Sequence, residues 1–234
     1  MDRTPVIVSW SGGKDSSLLF SHLQQNPRYQ IVGLLTTVTE PYDRISIHGV
    51  RREILREQVV RLAVPLYEAV IPAVASNDAY ESSLAQALVR IKDTLPGVQT
   101  IAFGDLFLED VRSYRERLLS PLGWVPIFPL WGLDTRALAR RFVRERFQAI
   151  VCCVDTAQLA ADWVARDFDA TFLDELPPGV DPCGERGECH TCVHAGPIFR
   201  RPITLVRGER VRRDSRFEYC DLHLTNDTAE DTAA

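Results

Sequence analysis

The sequence has few cysteines, almost no lysine and no long hydrophobic run. A membrane-spanning helix needs about 20 consecutive apolar residues, and no segment approaches that length. The short apolar run near the start leads into a glycine loop and does not resemble a signal peptide. Six cysteines in 234 residues are too sparse for a disulfide scaffold, so reduced thiols are expected. These absences predict a cytoplasmic protein without membrane contact.

An excess of basic residues is also missing. The chain holds 27 lysine and arginine residues against 32 acidic residues, a net charge of -5. Residues 225–234 contain three of the acids and no base, so the remainder carries 29 acids against 27 bases. This near-balance argues against broad electrostatic binding to nucleic acid. The polar stretch at 225–234 has nothing apolar to bury and is predicted to be a disordered acidic tail.

Short apolar runs alternate with longer segments at helical spacing, as in a parallel sheet covered by helices. Helices are predicted from about residue 15, around 54–62, along 80–95, and from Asp134, a good N-cap, to about 146. The predicted strands occupy residues 6–10, 30–38, 66–71, 100–103 and 149–154. We predict an α/β fold with a Rossmann-like parallel sheet and helices on both faces, plus a smaller C-terminal α/β subdomain.

The strongest functional signal is the loop Ser11-Gly12-Gly13-Lys14-Asp15-Ser16, which follows the first strand and opens the first helix. N–H groups at a helix N-terminus attract anions, and glycines let the backbone approach a phosphate. Lys14 is one of only two lysines in the chain. We interpret the segment as a phosphate-binding loop in which Asp15 holds magnesium through water. The alternative is a plain glycine turn, and the spacing differs from that of P-loop kinases and GTPases.

The same six residues resemble the SGGKDS signature of the N-type ATP pyrophosphatases, which activate substrates by adenylation. Residues 46–51, 103–110 and 184–191 resemble the diphthine–ammonia ligase branch of that superfamily. The likeness spans about residues 5–205 and implies a HUP-type sheet. It implies a nucleotide-binding domain at 1–130 and a C-terminal substrate subdomain at 131–224, which begins before the turn-rich stretch after residue 174.

The resemblance implies an ATP-dependent amide ligase. Members of the branch adenylate the carboxylate of diphthine on translation elongation factor 2 and admit ammonia, releasing AMP and pyrophosphate. The implied ligands are ATP, Mg²⁺, ammonia and a carboxylate-bearing acceptor such as a translation elongation factor. Two other functions stay open: an adenylating enzyme that thiolates tRNA or a nucleobase, and a protein that binds ATP or AMP without turnover. A homodimer also stays open.

Ligands of a doubly wound sheet bind beyond the carboxyl ends of the strands. The residues expected to bind the nucleotide are Ser9, Trp10, Ser11, Gly12, Gly13, Lys14, Asp15, Ser16, Thr36, Thr37, Gly104 and Asp105. The resemblance implies catalytic roles for Lys14, Asp15, Glu109, Glu185 and Glu188. It implies substrate contacts from His48, Gly49, Arg51, Glu185, Glu188, His190 and Thr191. Plain alternatives are a turn at Gly104-Asp105 and, for Glu109, an acid at a helix N-terminus.

A cysteine-bearing segment departs from the family pattern. Cys189 and Cys192 stand where that pattern has aromatic residues, and Ala195-Gly196 replaces an acid–glycine pair. This departure leaves a different acceptor open. Cys183, Cys189 and Cys192 are zinc candidates, although structural zinc sites usually combine two separated ligand pairs. Redox or persulfide chemistry and simple packing of small thiols are the other interpretations.

Overall fold

The computed structural model describes residues 3–225. Its first sheet has five parallel strands: β1 (Thr4–Ser9), β2 (Tyr29–Thr39), β4 (Leu66–Ile71), β5 (Thr100–Ala102) and β6 (Val125–Ile127). The spatial order is β4-β2-β1-β5-β6, and the short β3 (Arg44–Ile45) pairs antiparallel with the end of β2. The predicted Rossmann-like sheet is therefore confirmed.

Helices cover both faces of this sheet, and β1 shows why. Val6 and Val8 belong to one buried apolar cluster, whereas Ile7 between them belongs to a second. Successive strand residues point to opposite faces, so a strand buried on both faces is continuously apolar. The first cluster includes residues of α1 (Lys14–Gln25) and α2 (Arg52–Leu62). The second cluster includes residues of α3 (Asn77–Thr94), the helix predicted along 80–95, and among them are Leu84, Leu88 and Ile91.

Three further helices complete the fold: α4 (Glu109–Leu119), α5 (Thr135–Arg144) and α6 (Ala170–Glu175). The predicted N-cap of α5 is confirmed, because the Asp134 carboxylate accepts a hydrogen bond from the Ala137 N–H at 2.6 Å. No helix of the described residues is long and apolar enough to cross a membrane.

A second sheet holds four antiparallel strands in the order β8-β7-β10-β9. They are β7 (Gln148–Asp155), β8 (Cys189–Ala195), β9 (Leu205–Arg213) and β10 (Phe217–Leu224). We counted the strand at 149–154 with the parallel sheet, and that assignment is wrong. Seven of the eight residues of β7 are buried. Its apolar run therefore looks like that of a central parallel strand.

Strands β8, β9 and β10 were not predicted individually. β9 is an edge strand whose residues are mostly exposed and rich in arginine, so it lacks an apolar signal. The turn-rich character of residues 176–188 is confirmed, since no helix or strand occupies them. The predicted disordered tail at 225–234 lies outside the described residues apart from Thr225, whose N–H donates to the Thr204 carbonyl at 3.2 Å.

The aromatic core of the C-terminal part gives a first testable prediction. Phe142 is fully buried, stacks on Phe147 with ring centroids 4.9 Å apart, and meets Phe168 edge-on at 5.5 Å. We expect Phe142→Ala to lower the free energy of unfolding by about 3–5 kcal/mol, through lost burial and the remaining cavity. Urea denaturation measures this.

The matched control is Val89→Ala on α3, where the side chain is 57% exposed. It should change the free energy of unfolding by less than about 0.5 kcal/mol. Equal effects of the two substitutions would show that the Phe142 cluster does not stabilise the fold.

Candidate nucleotide site between the two sheets

The phosphate-loop candidate lies at the carboxyl end of β1, between that strand and α1. The Trp10 N–H donates to the Leu35 carbonyl at 2.8 Å, and the Thr36 hydroxyl donates to the Trp10 carbonyl at 2.7 Å. Gly12 has a φ of +74°, a conformation that favours glycine. A methyl group at Gly104 would lie 3.2 Å from the Asp15 backbone, so this glycine permits close packing on the loop. The end of β2 and the residues after β5 thus position the loop.

The second sheet holds the loop from its other side. The Val193 N–H of β8 donates to the Gly12 carbonyl at 2.9 Å. The Lys14 N–H donates to the Thr191 hydroxyl at 3.0 Å. Gly13, which precedes α1, offers no side chain to cap the helix. Thr191 therefore satisfies a helix N–H group that the loop itself cannot satisfy.

Gln58 of α2 is a site residue that sequence reasoning missed. Its side chain is fully buried and accepts a hydrogen bond from the Trp10 indole N–H at 3.1 Å. The amide nitrogen donates to the Gly12 carbonyl at 3.1 Å and to the Val193 carbonyl at 2.8 Å. One side chain therefore joins β1, the phosphate loop and β8. A glutamine within an otherwise apolar helix face is the only signal of this role in the sequence.

Lys14 is buried, with 3% of its surface exposed. Its ammonium group pairs with the Asp15 carboxylate at 2.8 Å and donates to the backbone carbonyl of Cys183. Burial alone would lower the pKa of Lys14, but the ion pair and hydrogen bond with Asp15 raise it above its ordinary value. Lys14 is therefore a fixed positive charge beside the loop, in an environment that strengthens its attraction for anions.

The two carboxylate oxygens of Asp15 differ: Oδ2 pairs with the Lys14 ammonium, and Oδ1 has no partner among residues 3–225. Its Oδ1 is buried and accepts no hydrogen bond from the described residues. An unpaired buried carboxylate oxygen fits a role as ligand to a cation or a water. Mg²⁺ in nucleotide sites commonly takes one or two carboxylates together with phosphate oxygens and water. The residues present fit a magnesium ion brought by a nucleotide.

Glu185 reaches the site from the turn before β8. Its carboxylate accepts hydrogen bonds from the Leu106 N–H at 2.7 Å and the Phe107 N–H at 3.4 Å. Burial, with the added charges of Asp15 and Asp105, raises the pKa of Glu185 to about 7. The side chain can therefore occupy either protonation state near neutral pH.

His48 and His190 form a pair on the same wall, with ring centroids 4.6 Å apart. A methyl group at Gly13 would lie 3.0 Å from Cε1 of His48 and 3.1 Å from the Thr191 carbonyl oxygen. The structure therefore brings His48, His190 and Thr191, all predicted to bind substrate, to the phosphate loop.

Several predicted residues have other contacts. Arg51 forms a two-bond ion pair with Asp221 of β10, at 2.9 and 2.7 Å. Asp105 forms one with Arg115 of α4, at 2.5 and 3.0 Å. Glu188 is buried and accepts the N–H groups of Asp181 and Arg186, each at 3.0 Å. These contacts give Arg51, Asp105 and Glu188 roles in holding the walls of the site.

The remaining predicted residues have the following positions and contacts in the fold. Glu109 is exposed at the first turn of α4, as the helix-terminus alternative expects. The Trp10 ring packs in the core against Phe20. The Thr37 carbonyl accepts the Ser46 N–H at 3.0 Å. Ser9 ends β1, and Gly49 packs against Tyr219, whose ring would lie 2.7 Å from a methyl group there.

All six cysteines are free and buried. Burial raises the pKa of Cys183, Cys189 and Cys192 above the ordinary thiol value. Within residues 3–225, no group of three or more histidine, cysteine or acidic side chains is placed to hold a metal ion. The zinc interpretation of Cys183, Cys189 and Cys192 therefore has no support in the fold. Small thiols packed in the core fit their burial.

The two halves of the chain match two family models. Residues 4–125 match the diphthamide synthase N-terminal domain, and residues 134–225 match the diphthamide synthase C-terminal domain. The chain belongs to the diphthamide synthase family. It is also 24% identical over 232 residues to a diphthine–ammonia ligase of Schizosaccharomyces pombe, an alignment that covers 92% of this chain. The chain spans only 38% of that relative's length.

Gln58 gives a prediction about the contact between the phosphate loop and β8. In Gln58→Leu, the buried Trp10 indole N–H and the Val193 carbonyl lose their side-chain partner. We expect the free energy of unfolding to fall by about 2–4 kcal/mol, since each unsatisfied buried group costs about 1–3 kcal/mol. Nucleotide affinity should fall as well, because the Gly12 carbonyl is no longer fixed. Urea denaturation and a nucleotide titration measure the two effects.

The control is Gln86→Leu on the exposed face of α3. It should leave both quantities close to those of the unchanged protein. A Gln58→Leu protein with normal stability and nucleotide affinity would contradict the assigned role.

Glu185 gives a pH prediction. Its folded pKa of about 7 lies above the ordinary value of 4.5, so the folded chain binds the proton more tightly than the unfolded chain. The contribution to stability is complete below about pH 4.5 and is lost as pH rises toward 7. After discounting for partial exposure, the loss is about 1–2 kcal/mol.

Glu185→Gln keeps an oxygen for the Leu106 N–H but cannot ionise. The variant should therefore lack this part of the decline in stability, which chemical denaturation between pH 4.5 and 7.5 would reveal. Parallel stability profiles for the two proteins would exclude a raised pKa at Glu185.

Proposed function

We propose that this chain is an ATP-dependent amide ligase. It adenylates a substrate carboxylate and then amidates it with ammonia, releasing AMP and pyrophosphate. The observation that carries the proposal is the fixed positive charge of Lys14 at a glycine loop and helix N-terminus, beside a wall bearing Glu185, His48 and His190. The Lys14 side of the site suits phosphates, and the wall with Glu185, His48 and His190 suits an acyl group and a nitrogen nucleophile.

The first half-reaction needs phosphate charge to be held and the carboxylate to be aligned with the α-phosphorus. Lys14 and the N-terminus of α1 supply positive potential for the phosphates. The Ser11 and Ser16 hydroxyls, which lie 3.2 Å apart, can donate to phosphate oxygens. A carboxylate oxygen of the acceptor forms the bond to the α-phosphorus, and pyrophosphate leaves. The product is an acyl adenylate, whose AMP is a far better leaving group than an oxide.

Asp15 would hold Mg²⁺ against the phosphates through its unpartnered Oδ1, and that cation would offset charge on the departing pyrophosphate. Glu185 bridges the residues after β5 and the turn before β8. With a pKa near 7, it can accept a hydrogen bond from an amine or donate one to an acyl oxygen.

The acceptor that best fits is diphthine on translation elongation factor 2. The support is membership of the diphthamide synthase family and the similarity to the Schizosaccharomyces pombe diphthine–ammonia ligase. Such an acceptor places the reaction in the cytoplasm, where translation factors act.

The test is pyrophosphate release by the purified protein with ATP and magnesium. Acceptor and ammonium are each supplied or withheld, and the acceptor is elongation factor 2 carrying diphthine. Release that needs the acceptor, with amide formed only when ammonium is present, supports the ligase. Dependence on a sulfur donor instead would indicate a thiolating enzyme. ATP binding without pyrophosphate release would indicate a nucleotide-binding protein.

Lys14→Ala tests the residue at the centre of the proposal. We expect pyrophosphate release to fall by about 100- to 1,000-fold, the usual loss when one preorganised electrostatic contact is removed. The matched control is Lys92→Ala, since Lys92 lies on α3 and donates to the Leu122 carbonyl at 2.8 Å. Lys92→Ala should retain activity. Equal activity in the two folded variants would remove Lys14 from the reaction.

A further inference from the structure

The His48–His190 pair leaves one buried ring nitrogen without a partner among the described residues. The rings lie with centroids 4.6 Å apart, and His48 rests against Gly13 of the phosphate loop. The ring of His48 hydrogen-bonds to the Thr191 backbone, while its Nδ1 is buried and has no partner among residues 3–225. A buried polar atom without a partner is unfavourable, so this nitrogen is free to accept a hydrogen bond from a bound molecule.

The surroundings keep both rings neutral. Burial lowers the pKa of His48 to about 4 and that of His190 well below its ordinary value, and the Lys14 charge acts in the same direction. The Arg44 guanidinium also lies against the His48 segment, where it donates to the Gly49 carbonyl. Cys152 of β7 and Tyr219 of β10 contact the segment as well. Burial raises the pKa of Cys152 and of Tyr219, so both are uncharged at neutral pH. The pair thus offers imidazole lone pairs near the Lys14 cation.

The segment that carries His48 is held in a constrained form. Ile47 has a φ of +68°, which is rare for a β-branched residue, and Gly49 has a φ of +69°. Two carbonyls of the segment accept side-chain hydrogen bonds. The Tyr219 hydroxyl donates to the Ile47 carbonyl at 3.3 Å, and the Arg44 guanidinium donates to the Gly49 carbonyl at 2.7 Å. Backbone strain of this kind persists where surrounding contacts over-determine it, often at functional sites.

This arrangement selects one kind of ligand. Imidazole lone pairs repel a carboxylate, and the Lys14 ammonium repels another ammonium ion. A small neutral molecule with N–H donors satisfies both conditions. Resting on the function proposed above, we propose that the His48–His190 pair binds ammonia and that His48 accepts its proton during amide formation.

The step is balanced in atoms and charge. The nitrogen lone pair of ammonia forms a bond to the acyl carbon, and the bond from that carbon to the AMP oxygen breaks with its electron pair. AMP leaves as a phosphate anion, and one proton passes from nitrogen to Nδ1 of His48. The nitrogen becomes cationic as it attacks and is then far more acidic than ammonium, so even a weakly basic imidazole accepts the proton.

The test separates the two half-reactions in His48→Gln and His190→Gln. Glutamine keeps a hydrogen-bond donor but has no basic nitrogen. Adenylation is measured as acceptor-dependent exchange of labelled pyrophosphate into ATP, using elongation factor 2 that carries diphthine. Amide formation is measured separately with ammonium chloride and with hydroxylamine, a stronger nucleophile that is uncharged near neutral pH. His22→Gln on α1 is the matched control, and urea denaturation verifies that each variant is folded.

We expect exchange within about twofold of the unchanged protein and amide formation from ammonium lower by about 100-fold in His48→Gln, a usual loss for a general base. Hydroxylamine should restore most of the rate, and His22→Gln should match the unchanged protein. A folded His48→Gln or His190→Gln protein that loses exchange and amide formation equally overturns the inference, as does one with normal amide formation. Absence of acceptor-dependent exchange in the unchanged protein overturns the proposed function itself.

Discussion

The site depends on a phosphate loop whose backbone is satisfied by the second sheet. Serine hydroxyls of the loop and of the first turn of α1 satisfy the Gly13 backbone, and β8 supplies further partners at Gly12 and Lys14. Val193 donates to the Gly12 carbonyl, the Thr191 hydroxyl accepts the Lys14 N–H, and Gln58 ties both segments to β1. The C-terminal half therefore helps to build the candidate site, since β8 satisfies polar groups of the loop.

Burial of the side chains around Lys14 determines the charges of the candidate site. The same low-dielectric environment lowers the pKa of His48 and raises those of Glu185 and the nearby thiols. Lys14 stays charged because Asp15 compensates for its burial. The result is a fixed positive charge for phosphates beside neutral imidazoles and a carboxyl group that titrates near neutrality. These charges suit the proposed reaction, in which a carboxylate is first joined to AMP and the acyl group is then transferred to a neutral nucleophile.

Local features could be predicted from sequence, and long-range contacts could not. The apolar runs of β1, β2 and β4 and the stripe on α3 predicted these elements, because burial imposes their periodicity. The glycine loop was recognisable because its strand, turn and helix are contiguous. β9 escaped prediction because an exposed edge strand carries no apolar pattern. β7 was assigned to the wrong sheet, because burial makes its run resemble a parallel strand.

The same division applies to individual site residues. Substrate contact by Arg51 stays a prediction, and the structure adds an ion pair with Asp221, 170 positions away, of which the sequence gives no sign. Gln58 has partners 46 and 135 positions away, which only the fold brings together. Glu188 was assigned to chemistry on resemblance, and its place at the centre of a buried turn is visible only in three dimensions.

We propose that nucleotide phosphates bind at the glycine loop that precedes α1. A crystal structure of the protein with magnesium and a non-hydrolysable ATP analogue tests this proposal. We expect phosphate oxygens against the backbone of residues 12–16, with the Lys14 ammonium in contact with one of them and the metal beside Asp15. Phosphates bound elsewhere, with Lys14 still paired to Asp15 and the Cys183 carbonyl alone, would contradict it.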